Sequence, residues 1–266
     1  MAAAVLGALF SPWFAWTQTS NSAAPDKPSS ESSATPKEKE EMQARIFMAR
    51  KEYNEAEKMY AKLAAEYPHD PVYLNSIGIA KQQQNDLKGA ALAYQRATKV
   101  DKKFATGYSN LGTTWYAQKR YRQAIRYYQK AISVQPQVAG YFSNLGYAYF
   151  AEKKYPQATV AFQKAMAIDP AVFQQNDRNG AVMTYQSVED RGLFDFLLAK
   201  SYAQKADAMN CAVYLHKAFE EGYKASVKEL ADHAFDAVRS DPDVKTVLDL
   251  MQPPPEKSAS SAPPGA

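Results

Sequence analysis

Small, apolar and aromatic residues return along this chain at a fixed interval. Gly78, Gly112 and Gly146 lie 34 residues apart, and so do Ala90, Ala124 and Ala158. Ala97, Ala131 and Ala165 keep the same spacing, as does the ring series Tyr94, Tyr128 and Phe162. Four registers with one period predict a stack of helix pairs, each too small to bury its own apolar face alone. The glycines and alanines belong where the two helices of a pair cross, because only a small residue lets the backbones approach. A large side chain there would overpack the crossing at a cost of about 1–3 kcal/mol. Pro136 and Pro170 stop the second helix of their units and set the turn into the next.

The units then fall into the order W-x2-L-G-x2-Y, A-x3-F, P. Residues 139–172 read Phe142, Leu145, Gly146, Tyr149, Ala158, Phe162 and Pro170; residues 105–138 read Tyr108, Leu111, Gly112, Trp115, Ala124, Tyr128 and Pro136. Residues 71–104 keep Leu74, Ile77, Gly78, Ala90 and Tyr94, but carry Lys81 in place of an aromatic and Lys102 in place of proline. A less sharply defined helix end is expected there. A first unit, 37–70, keeps Phe47, Ala56, Tyr60, Ala64 and Pro68, has Ala44 instead of glycine, and is polar at Glu40 and Gln43, as an outer cap should be. A fifth unit, out of register at about 192–225, offers Leu198, Ala199 and Tyr202, then Cys211, Leu215 and Ala218. Residues 173–191 form an insertion with a turn signal at Asp177-Arg178-Asn179-Gly180, and Phe173, Val182, Met183 and Tyr185 suit it to fold against a groove mouth. Two short capping helices, 226–238 and 242–250, complete the span 192–250.

On these residues the chain resembles the tetratricopeptide-repeat family, in its bacterial type. The resemblance implies an all-α fold: a right-handed superhelical solenoid of about four to five helix–turn–helix repeats plus C-terminal capping helices. It also implies protein–protein binding in a concave groove lined mainly by first helices. By the family pattern the groove positions are Asn75, Ile79 and Gln82; Ser109, Thr113 and Tyr116; and Ser143, Tyr147 and Phe150, with Glu41, Arg45 and Met48 in the first unit. Asn110 and Asn144 stand beside them, but Thr106, Ser109, Gly140 and Ser143 occupy the places where a carboxylate clamp needs cations. An extended segment with apolar anchors near Tyr116, Tyr147 and Phe150 is the expected ligand.

The ends differ in kind. Residues 1–17 begin with a run, 1–16, that has no charged side chain, as in a signal peptide or membrane anchor, although no Lys or Arg precedes it. Residues 18–36 are a Ser/Ala/Pro linker and 251–266 a Pro-rich tail, both too polar to bury a core.

Composition narrows the chemistry. The 32 basic and 28 acidic residues leave a net charge of +4, too even to call for nucleic acid. Arg122, Arg126 and Lys130 are spaced to form one solvated ridge. His69, His216 and His233 have no metal-ligand spacing, and Cys211 takes a small-residue packing site. No phosphate loop or hydrolase motif occurs. No catalytic residue, metal, cofactor or small-molecule substrate is therefore expected. The expected function is a non-enzymatic scaffold binding a protein or peptide, exported, periplasmic or tethered through residues 1–16, in an envelope or secretion complex. The alternatives are a cytoplasmic adaptor or chaperone-like module, or a structural solenoid that forms homo-oligomers through its end helices.

Overall fold

The computed structural model describes residues 35–173 and 188–252. The expected leader or anchor and most of the linker, of the insertion and of the Pro-rich tail fall outside the described residues. The chain forms two compact units, Met1–Val182 and Met183–Ala266.

In the first unit the helices come in pairs: α1 (Pro36–Ala49) with α2 (Tyr53–Glu66), α3 (Pro71–Gln83) with α4 (Leu87–Val100), α5 (Ala105–Ala117) with α6 (Tyr121–Val134), and α7 (Ala139–Ala151) with α8 (Tyr155–Ile168). From α2 onward both ends of every helix repeat at the sequence period. The fold is an all-α helix–turn–helix repeat solenoid of four such pairs, with further helices toward the C-terminus. The two members of a pair differ in pattern. On α6 the buried residues are Ala124, Ile125, Tyr128 and Ala131, a single stripe. On α7 they include Tyr141, Ser143, Leu145, Tyr147, Ala148 and Phe150, because a first helix is covered on more than one side.

The crossings are equivalent in successive pairs. A Cβ on Gly78 would lie 2.5 Å from the Tyr94 ring, and one on Gly112 would lie 2.5 Å from the Tyr128 ring. At Gly146 the obstacle is the Phe162 ring. Each glycine is thus the floor on which the second helix's aromatic rests.

The turn inside each pair repeats with equal regularity. Lys51, Asn85, Lys119, Lys153 and Ala206 all have φ between 57° and 62°. Each donates its N–H to the carbonyl three residues back, and the next residue donates to the carbonyl five back, as in Arg120 N to Trp115 O at 2.9 Å. This is the Schellman arrangement, whose left-handed residue is usually glycine. Here it is built without one.

Between pairs the chain straightens. Tyr67, Asp101, Gln135 and Asp169 share extended backbone angles, with φ from −123° to −138°. Three of them precede proline, which disfavours the helical region for its neighbour. Asp101 precedes Lys102, and the expected looser helix end does not occur: α4 stops at Val100 in register with the others. The Asp101 carboxylate accepts the Lys103 N–H at 2.7 Å and fixes the turn in proline's place.

The second unit holds α9 (Val188–Ala203), α10 (Ala208–Glu220), the four-residue α11 (Val227–Leu230), a 3-10 turn (His233–Phe235) and α12 (Pro242–Leu250). Leu198, Ala199, Cys211 and Leu215 are buried where α9 and α10 pair. Two sequence expectations are corrected. The first helix begins at Val188, inside the span assigned to the insertion. The span 226–238 is not one helix, because Asp232 takes the Ala234 N–H at 2.8 Å and ends α11 within a turn.

Replacing Ala206 by Gly should raise the unfolding free energy by about 1 kcal/mol, since an alanine in the left-handed region is strained. Gly112→Ala should lower it by about 1–3 kcal/mol. Urea unfolding followed by circular dichroism measures both, and an unchanged midpoint for Gly112→Ala would contradict the crossing described.

Candidate partner-binding face

The first helices α1, α3, α5 and α7 present the residues assigned to the groove. Most of these side chains are occupied inside the fold. Asn75 is buried and accepts a hydrogen bond from Asn110 Nδ2 at 2.8 Å, joining α3 to α5. Gln82 accepts from the Tyr94 hydroxyl at 3.1 Å. Thr113 accepts from the Tyr128 hydroxyl at 3.2 Å and donates to the Ser109 carbonyl at 3.2 Å. Ser109 and Ser143 are buried, and Ser143 donates to the Gly140 carbonyl at 3.1 Å. Ile79, half-buried, packs against Ala90, Ala91, Tyr94 and Leu111.

The three aromatic anchors expected from the sequence also face protein. Tyr147 is 8% exposed, its ring edge-on to Phe162 at 5.6 Å and to Phe173 at 6.4 Å. Phe150 is 7% exposed and leans on Tyr155 at 5.5 Å. Tyr116 is half-buried against Tyr121 at 5.2 Å. Of the insertion, Phe173 is described, and it is buried on the Tyr147 and Phe162 rings.

The residues left open on the first helices sit at neighbouring positions. Two residues before the glycine come Ser76, Asn110 and Asn144, all half-buried, and Met42 is 62% exposed at the matching place in α1. Six before it come Val72, 50% exposed, the exposed Thr106 and the half-buried Gly140. Met42 and Val72 were missed by the groove assignment. Their signal was available: each is an apolar residue at a helix position whose neighbours along the repeat are polar. The Asn144 side chain forms no hydrogen bond with any described residue.

Adjacent first helices are fastened by polar pairs. The Tyr73 hydroxyl donates to Glu41 between α3 and α1, and Tyr141 lies 3.4 Å from Thr106 between α7 and α5. Burial, reinforced by Glu41, holds the Tyr73 hydroxyl well above its ordinary pKa. Burial likewise raises Tyr94 and Tyr128, and lifts Tyr116 to about 12. Cys211 is buried, and desolvation with the Asp207 and Asp241 charges nearby pushes its thiol to about 12. Among the described residues no group of three His, Cys, Asp or Glu could hold a metal ion. No helix of the described residues is long and apolar enough to cross a membrane. The face offers amide, hydroxyl and aliphatic groups: it can hold a chain by contact and hydrogen bonding.

Comparison with known proteins gives the repeat its family. Models of the tetratricopeptide repeat match residues 41–107, 105–138 and 139–172. A curated relative, the small glutamine-rich tetratricopeptide repeat-containing protein 2 of Mycosarcoma maydis, is 32% identical over 78 residues. That match spans 29% of this chain and 22% of the relative's length. Among solved structures, PilF of Pseudomonas aeruginosa aligns over 81% of this chain and 88% of its own, at 16% identity and a TM-score of 0.52. MamA of Desulfovibrio magneticus RS-1 aligns over 70% of this chain and 94% of its own, at 19% identity and a TM-score of 0.50. Residues 41–172 are tetratricopeptide repeats, a protein–protein interaction module. With a fungal relative beside bacterial structures, the bacterial type expected from the sequence is not established.

The raised tyrosines give a pH dependence. The unfolded chain loses these protons near pH 10.0, the ordinary tyrosine value, while the folded chain keeps them. Their contribution is therefore intact below that pH and is lost as pH rises above it. The urea midpoint should fall between about pH 9 and about pH 11, and less steeply in Tyr128→Phe. A flat profile would contradict the burial of these hydroxyls.

Proposed function

We propose that this chain is a non-enzymatic scaffold that holds an extended protein or peptide segment along its first helices. Asn144 carries the reading. Asn110, at the same place in the preceding unit, donates to Asn75, whereas the Asn144 amide has no partner among the described residues. A primary amide offers two donors and an acceptor, the complement of a peptide backbone. Met42 and Val72, open on α1 and α3, supply the apolar contact that the buried Tyr147 and Phe150 do not. A scaffold role is also favoured by the state of the one cysteine. The Cys211 thiol is buried and held in its neutral form, the opposite of what attack on a substrate needs.

The charge-free run 1–16 supports placing the scaffold beyond a membrane, exported or tethered, in an envelope or secretion complex. The second reading is a cytoplasmic adaptor.

A photo-crosslinking residue at Val72 or at Asn144 should give one discrete adduct in native cells, and the same residue at Asn54 on α2 should not. Equal labelling from Asn54, or none from either first-helix position, would remove the groove reading. Mass spectrometry of the native N-terminus addresses location: cleavage between about Thr17 and Ala24 is the outcome expected for export. An intact start would favour the adaptor.

A further inference from the structure

The small net charge conceals a division. Between residues 71 and 172 there are fourteen Lys and Arg against four Asp and Glu, while between 188 and 252 there are eight against twelve. Each region lies within one of the two compact units. The same chain carries a basic body and an acidic body.

Six of these fourteen cations lie on the outer stripe of the second helices. Arg96, Lys130 and Lys164 occupy one position of α4, α6 and α8, and Lys88, Arg122 and Arg126 continue the stripe at four-residue steps; all six are exposed. The four carboxylates of this region are all engaged. Asp86 caps α4 at Gly89 and pairs with Lys81, Asp101 holds the Lys103 amide, Asp169 holds the Ala171 amide, and Glu152 pairs with Arg122 at 3.2 Å. Lys88, Arg96, Arg126, Lys130 and Lys164 form no ion pair with any described residue. Among these cations two aliphatic side chains stand in water, Leu92 at 63% and Val160 at 52% exposure, in register with Arg126.

The second unit carries the opposite net charge, and two of its carboxylates flank the exposed Lys245 on α12. Asp243 and Asp249 are exposed on α12 and form no ion pair with any described residue. Leu250 beside them is 55% exposed, and Met209 and Val213, one turn apart on the neighbouring α10, are 78% and 45% exposed. Opposite charge, each set around exposed aliphatics, is what two docking surfaces require of each other.

We propose that a second copy of this chain docks head to tail, the α4–α6–α8 outer face of one molecule receiving the α10–α12 face of the next. The two faces differ, so the contact is heterologous and each copy keeps one of each to extend the series. Electrostatic attraction drives the encounter and the aliphatic contacts hold it. Association is therefore strong at low ionic strength and weak once salt screens the charges. This contact uses neither Val72 nor Asn144, so it stands or falls apart from the first-helix reading.

Sedimentation velocity of the full chain tests it, over increasing protein concentration at about 0.01 M and about 1 M salt. Concentration-dependent assembly is expected at low salt and its loss at high salt. Arg96→Glu with Arg126→Glu should weaken assembly about tenfold or more, and so should Asp243→Lys with Asp249→Lys. These side chains are exposed and unpaired, so both variants should keep the wild-type circular dichroism spectrum. Mixing the two reversed variants should restore a complex that contains both. A wild type that remains monomeric, assembly indifferent to either reversal, or a mixture that stays apart would overturn the proposal. So would a monomer that instead binds polyglutamate or duplex DNA, which would assign the basic face to an acidic protein or to nucleic acid.

Discussion

An aromatic ring resting where a side chain is missing sets the geometry of every central unit. Tyr94 over Gly78, Tyr128 over Gly112 and Phe162 over Gly146 fix how near the two helices of a pair can come. Close approach leaves no room for water, so the tyrosine hydroxyls must find a partner within the pair. Gln82 and Thr113 provide it. Phe162 has no hydroxyl to satisfy, and the side chain after Gly146 is an aromatic, Tyr147, which packs on it instead. Chemistry on the first helix is thus dictated by the ring on the second.

The same constraint decides which side chains remain for a partner. A first helix has neighbours within its pair and along the stack, and residues facing either are consumed. What stays open is a narrow row, from Met42 and Val72 through Thr106 to Asn144. The second helices bury one stripe and show water the rest, which is why seven of the fourteen cations between residues 71 and 172 lie there. A repeat with one construction rule therefore yields two unlike surfaces, one neutral and one basic.

The fold was legible because its signal is redundant: glycine, alanine and aromatic registers all report the same crossing. Helix ends were legible where proline marks them and misread at Lys102, where an aspartate does the work through its side chain. The left-handed residues at Lys51, Asn85, Lys119 and Lys153 also keep the repeat's spacing, and neither they nor Ala206 in the out-of-register unit is glycine, so the turn carried no compositional mark. The site was less legible for a physical reason. Whether Asn75 or Asn144 is free depends on a partner 35 residues away or on none, and a family pattern gives the facing of a position without its occupancy. Tyr147 and Phe150 have the right facing and are covered. The charge division is hidden in the whole-chain balance, where the excess of acid in one region offsets the excess of base in another.

The bonds that join successive first helices are all different: a tyrosine on a glutamate, an asparagine on an asparagine, a tyrosine beside a threonine. The apolar parts of the units are nearly interchangeable, and these groups are not. Permuting two central units would leave the ring-on-glycine nesting intact while setting each polar group against a stranger. The order of the repeats is thus spelled out one junction at a time, and a shuffled array would be compact but locally quarrelsome at its seams.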